Sequence, residues 1–167
     1  VTRALFTSET RASRFAATEQ SLGHSFAGEI KIGGNYVSVV QHGDQVFVSG
    51  QIPRVGDAVV VKGRVGADVT LAGAQTAAKI CTMRALALLA QHLGSLDAIE
   101  QILRVTVFVQ SAEGFTQQSE VADGATDVLH AILGEAGRPT RTSVGVYQLP
   151  KNAAVEIDLI AAARRIS

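Results

Sequence analysis

The chain has 167 residues and 47 % hydrophobic content, enough for one well-filled core and too little for two ordinary domains. Fifteen basic and fifteen acidic residues cancel, which argues against a dedicated nucleic-acid binder, because each phosphate contact needs a Lys or Arg. The lone Cys81 excludes an internal disulfide and a multi-cysteine zinc site, and no apolar run is long enough to span a bilayer.

The start of the chain, residues 1–27, mixes Arg3, Arg11 and Arg14 with Glu9 and Glu19 and lacks the apolar segment of a secretory signal, so a cytoplasmic location is expected. Residues 8–22 predict a short amphipathic helix with Phe15, Ala16 and Leu22 as its apolar contacts. This helix belongs to an N-terminal extension set at residues 1–29, ahead of a single domain over residues 30–167. Residues 36–40 and 45–49 read as strands joined at His42-Gly43-Asp44, where Gly43 takes positive φ without a Cβ clash. Residues 58–61 read as a third strand.

Asp68 or Thr70 caps a long helix that runs to about His92, with Gly94 as its stop. Its stripe of Leu71, Ala74, Ala78, Cys81, Ala85 and Leu89 is so rich in alanine that the helix must lie very close to what it covers. Cys81 is a packed thiol in that setting. Residues 102–110 form a strand dense in β-branched residues. A second helix over residues 115–135 buries Val121, Ala125, Val128, Leu129 and Ile132, with Gly137 as its stop. Two last strands, residues 142–148 and 154–162, flank the turn Leu149-Pro150-Lys151-Asn152. The order β-β-β-α-β-α-β-β is that of an α+β domain with both helices on one face of a sheet.

Alternation sorts the last two strands. Thr142, Val144 and Val146 point one way; Arg141, Ser143, Gly145 and Tyr147 point the other. Val155, Ile157 and Leu159 are the apolar set of the final strand, opposite Glu156 and Asp158. If the apolar sets face the helices and the two strands pair as a hairpin, the free face carries Arg141, Ser143, Glu156 and Asp158. Such a face is either solvated, with an ion pair of little energetic weight, or buried by another subunit, with an Arg and a carboxylate at the seam.

Several stretches resemble the Rid (YjgF-type, endoribonuclease L-PSP) superfamily: Ser49-Gly50-Gln51-Ile52-Pro53, Arg104-Val105-Thr106-Val107-Phe108-Val109, and Arg141-Thr142-Ser143-Val144-Gly145-Val146 with Leu149-Pro150-Lys151-Asn152 and Val155-Glu156-Ile157. The resemblance covers residues 36–162 in the family's order. Residues 62–70 and 121–125 are similar to a longer, N-terminally extended branch. The resemblance implies a chorismate-mutase-like α+β fold, a mixed β-sheet with two helices on one face, assembled as a homotrimer with ligand pockets between subunits.

It further implies a 2-imino or 2-enamino acid deaminase that needs no metal or cofactor. Arg141 would bind the substrate carboxylate, since a guanidinium is a planar two-pronged donor. Glu156 would attend the water, Tyr36 would line the pocket, and Gly50 and Ser143 would offer backbone groups to it. Ser143 stands where many deaminating members carry Cys, and residues 131–140 are longer than in the classical branch. The alternatives are a non-catalytic protein that binds a small carboxylate metabolite, and the ribonuclease of the older family name. Metal-free RNA cleavage usually uses paired histidines, whereas His24, His42, His92 and His130 lie scattered. The expected partners are a small carboxylate and further copies of the chain, not a membrane or nucleic acid.

Overall fold

The computed structural model describes residues 8–165. In chain order it contains α1 (Arg11–Leu22), β1 (Val39–His42), β2 (Gln45–Gln51), β3 (Arg54–Val55), β4 (Ala58–Val59), α2 (Leu71–Leu93), β5 (Ile99–Gln110), α3 (Gln118–Leu133), β6 (Thr140–Val146) and β7 (Val155–Ala163). One five-stranded sheet has the order β1-β2-β7-β5-β6, and β3 with β4 forms a separate small ribbon. The sheet is mixed, as expected: β5 pairs β6 in parallel, and every other pair is antiparallel.

Local chemistry sets the boundaries. Gly43, at φ 63°, makes the two-residue turn between β1 and β2. Thr70 accepts from the Gly73 amide at the start of α2, so Thr70 and not Asp68 is the cap, and Gly94 at φ 87° ends the helix. Asp68 instead accepts from the Arg64 amide in the preceding loop. Helix α3 starts and stops inside its predicted span. It stops at Gly134, at φ 64°, and Gly137 ends the 3-10 turn that follows, with no room for a β-carbon against the Leu129 carbonyl.

Three expectations need correcting. The predicted third strand shrinks to Ala58–Val59, paired with Arg54–Val55. Beyond it residues 61–65 make only isolated bridges, such as those to Ala153 and Ser111, with Gly63 and Gly66 at positive φ interrupting a continuous ladder. The strand predicted from residue 36 begins at Val39, leaving Tyr36 in the loop before it. The last two strands are not a hairpin: the twelve-residue β5 lies between β6 and β7 and pairs with both.

The core lies between the sheet and α2 with α3. Val105, Val107, Ile157 and Leu159 meet Ile80, Met83, Leu86, Leu89, Leu129 and Ile132, all essentially inaccessible. Helix α2 is buried without a break over residues 80–89, as befits a helix covered on more than one side. Its alanines bring α3 close: a β-carbon on Gly124 would run into the Gln75 carbonyl of α2. Helix α1 is docked on this layer. Phe15 and Leu22 pack on the core, Arg11 Nη1 donates to the Leu96 and Ile99 carbonyls at 2.9 and 2.7 Å, and Arg14 Nε donates to the Ile132 carbonyl at 3.0 Å.

Gly124→Ala tests the close approach. Alanine gains about 1 kcal/mol in helix propensity over glycine, yet overpacking at a backbone contact costs about 1–3 kcal/mol. Urea unfolding at fixed protein concentration is expected to show a lowered midpoint with an unchanged slope.

Candidate functional site

The site grows from a break in the register of β2. Val48 pairs with Leu159 and Gln51 with Ile157, three residues against two, so Ser49 and Gly50 form a bulge. Val48 and Gln51 both remain buried, while the strand opens beside Glu156 of β7. A β-carbon at Gly50 would collide with the Glu156 carboxylate, so the absent side chain is what admits that carboxylate.

The resulting cleft, about 380 Å³, is lined by Tyr36, Gly50, Gln51, Arg54, Arg84 and Glu156, with Lys31, Pro150 and Lys151 among the other residues of its wall. That volume suits a small ligand. Burial raises the Glu156 pKa above the ordinary glutamate value, and the charge of Asp158 adds to the rise. A carboxylate held this way keeps its proton to higher pH, the property of a group that takes and returns protons in a reaction.

Arg84, only 4 % exposed, reaches the cleft from α2. Its Nε donates to Gln51 Oε1 at 3.2 Å, Nη1 to the Arg54 carbonyl at 2.9 Å and Nη2 to the Lys31 carbonyl at 3.0 Å. Gln51 is held in turn by its Nε2 donating to the Ser49 carbonyl at 3.1 Å. The loop bearing Pro150 and Lys151 is fixed by buried Gln110: its Nε2 donates to Asn152 Oδ1 and its Oε1 accepts from the Leu149 amide, both at 2.7 Å. Lys151 and Asn152 take left-handed backbone, φ 57° and 59°, to complete the turn.

Of the predicted residues, the structure brings Tyr36, Gly50 and Glu156 together and leaves Arg141 and Ser143 elsewhere. In the parallel register Val105 opposes Arg141, Val107 opposes Ser143 and Val109 opposes Gly145, which puts these β6 residues on the helix side. Glu156 and Asp158 oppose Phe108 and Thr106 on the free face. The alternation was therefore correct and the assignment of faces in β6 inverted. The reason is the sheet edge, where the polar side of α3 meets β6 and receives a guanidinium, while Val144 turns to the open face.

Arg141 Nη1 donates to Asp123 Oδ1 at 2.7 Å and Thr126 Oγ1 at 3.1 Å, and Nη2 to Ser119 Oγ at 2.9 Å. It borders a different depression, with Thr126, His130 and Arg138. Arg54, Arg84, Gln51 and Gln110 were missed by sequence reasoning. The available signal was a charge at position 84 inside an unbroken apolar stretch. Cys81 is a packed thiol: burial pushes its pKa up, and its Sγ lies 3.7 Å from the Val155 carbonyl. Among the described residues no group of three His, Cys, Asp or Glu is placed to hold a metal ion. Nor, among the described residues, is any helix long and apolar enough to cross a membrane.

Residues 13–163 match the family described as "YjgF/chorismate_mutase-like, putative endoribonuclease". Protein TCP17 of Trypanosoma cruzi is 40 % identical over 148 residues, covering 88 % of this chain and 92 % of that protein. The crystal structure of Atu1372 from Agrobacterium tumefaciens is 35 % identical, with a TM-score of 0.81 over 92 % of this chain and 94 % of that one. E. coli TdcF, solved with bound serine, is 26 % identical, with a TM-score of 0.58 over 83 % of this chain and 95 % of its own. The chain belongs to the YjgF/chorismate-mutase-like family.

Glu156→Gln isolates the cost of this buried carboxylate. A raised folded pKa means that the native state binds the extra proton, so stability falls as pH rises from the unfolded value through the folded one. The variant should be the more stable protein above that window and match the wild type below it. Paired urea titrations at pH 4 and pH 8 check the sign.

Proposed function

We propose that this member of the YjgF/chorismate-mutase-like family hydrolyses small 2-imino or 2-enamino acids to the 2-oxo acid and ammonia, in clefts shared by neighbouring copies of a homotrimer. The observation that carries the reading is the cleft at Glu156, a half-buried carboxyl group with a raised pKa in a small chamber with Tyr36 and Gly50. Arg141 lies on the other side of the sheet, on edge strand β6. It therefore serves the Glu156 cleft of an adjacent copy and not that of its own chain. The serine held by TdcF supports a small amino-acid-like ligand for this fold.

The chemistry assigned to these residues is a two-step hydrolysis. Arg141 grips the substrate carboxylate with two parallel N–H donors and fixes the imine carbon in one place. The substrate reacts as its N-protonated iminium form: Glu156, as carboxylate, accepts a proton from water as the water oxygen bonds to that carbon, giving the neutral carbinolamine. Protonated Glu156 then returns its proton to the nitrogen. The C–N bond breaks and ammonia leaves as the hydroxyl proton passes to Glu156 and on to solvent, forming the 2-oxo group. A ribonuclease reading finds no support in the cleft, since none of the four histidines lines it. His92 bonds Gln41 and His130 bonds the Gly134 carbonyl.

Arg141→Ala and Glu156→Gln should each lower ammonia release from enzymatically generated 2-iminopropanoate by about a hundredfold or more. A site drawn from two chains makes a sharper demand. Co-expressing the two variants should restore about a quarter of wild-type activity, the chance that a random seam draws both intact residues. No recovery would place both residues in one chain's site and end the shared-cleft reading. A wild-type protein that does not accelerate ammonia release ends the deaminase reading and leaves a small-carboxylate binder.

A further inference from the structure

The Glu156 cleft holds more positive charge than the proposed reaction uses. Arg54, Arg84, Lys31 and Lys151 line it against the single carboxylate of Glu156. Lys31 is already paired with Asp57. Neither Arg54 nor Arg84 takes part in any of the four ion pairs among the described residues. Arg84 is held by three neutral oxygens, and Arg54 Nε is shut from solvent with no acceptor at all. One guanidinium is buried and the other has an orphaned donor, while Asp57, the carboxylate whose charge Arg54 feels, is committed to Lys31, so the pair has charge left for a further anion.

The same pair also borders a smaller cavity of about 190 Å³ lined in part by Glu29. Glu29 is exposed and pairs with neither arginine. With Lys31 paired, the larger cleft sets Arg54, Arg84 and Lys151 against Glu156, whereas the smaller sets only Arg54 and Arg84 against Glu29, so the greater excess of positive charge lies in the larger cleft.

We propose that Arg54 and Arg84, with Lys151 beside them, form a subsite for a second anionic group, so that the substrate is a small acid charged at both ends. The inference rests on the reading of this cleft as a small-acid site. The first carboxylate goes to Arg141 of the adjacent copy, the reacting carbon to Glu156, and the distal anion to the arginine pair. A planar fork such as guanidinium takes either a carboxylate or a phosphoryl oxygen pair. The substrate class is thus a 2-imino acid whose side chain ends in one of these.

Calorimetric titration of the full-length wild-type protein with 2-oxo acids separates the outcomes. The probes are 2-oxoglutarate, its phosphonate-ended counterpart 2-oxo-4-phosphonobutanoate, and 2-oxopentanoate, which has the same chain length and a neutral end. One of the two doubly charged acids should bind at least about tenfold more tightly than 2-oxopentanoate, the gain of one charge-assisted contact. Whichever is preferred names the distal group. Arg54→Gln should erase the preference while 2-oxopentanoate binds as before; Arg84→Met, which also removes three hydrogen bonds to the cleft wall, should erase the preference whatever it does to binding of all three acids. Arg54 lies outside the α2 core, so its variant reports even where the Arg84 variant does not fold. If all three acids bind equally and Arg141→Ala weakens them alike, the second subsite is wrong and the small-acid site stands. If none binds, both fall.

Discussion

Three residues of β2 run against two of β7, and this mismatch gives the sheet a cavity where a regular ladder would have closed it. The bulge turns Gln51 back to the helix side, where its amide oxygen meets Arg84, and frees the Ser49 carbonyl to hold that amide. It also places Gly50 against the Glu156 carboxylate, where any larger residue would push the acid out. The buried neighbours on either side of Glu156, Val155 and Ile157, anchor β7 in the core, so the carboxylate cannot move away to better solvent. Its raised pKa follows from that confinement. Register, glycine and acidity are one feature described at three levels.

The arrangement of strands then decides what one copy can do alone. In the registers that β6 and β7 take on β5, Arg141 and Glu156 end on opposite sides of the sheet. Asp123, Thr126 and Ser119 hold the Arg141 guanidinium in place at the sheet edge, with its side chain 22 % exposed. A partly exposed ion pair of this kind contributes at most about 1 kcal/mol. In the proposed reaction an incoming carboxylate would therefore displace little on sharing the fork, and the α3 contacts would have oriented the donors before it arrived. An arginine held at an edge and an acid held in a cleft suit a reaction site assembled where two copies meet.

Local signals in the sequence carried most of the fold. Gly43, Thr70 and Gly94 mark real turns and caps because a single residue's steric or hydrogen-bonding preference settles each one. The alanine stripe of α2 foretold the close contact at Gly124 for the same kind of reason. Long-range order was less legible. Nothing in residues 142–162 announces that a strand forty residues upstream will lie between them, and alternation gives two faces without saying which is inward when one strand is an edge. The site divided along the same line. Tyr36, Gly50 and Glu156 came from family resemblance and meet in space, whereas Arg54, Arg84 and Gln110 act only through neighbours brought in by the fold.

Arg84 is the residue that stability alone does not account for. It stands in a helix segment that is buried on all sides, where Leu or Met would pack without desolvating a charge. Burial lowers its pKa, and the nearby Arg54 lowers it further, so the surroundings work against its positive charge. Three neutral acceptors offset part of that cost but supply no counter-charge, and the orphaned Arg54 Nε shows that the local hydrogen bonding is incomplete. A cost of this kind inside a cleft differs from one in a closed core, because a ligand can enter and remove it. An anion there would meet one buried and one half-buried guanidinium at once and would offset the repulsion between them. The electrostatic tension among the cleft's own charges is the mirror image of affinity for a charged side chain, which neutral-ended acids of the same length cannot draw on.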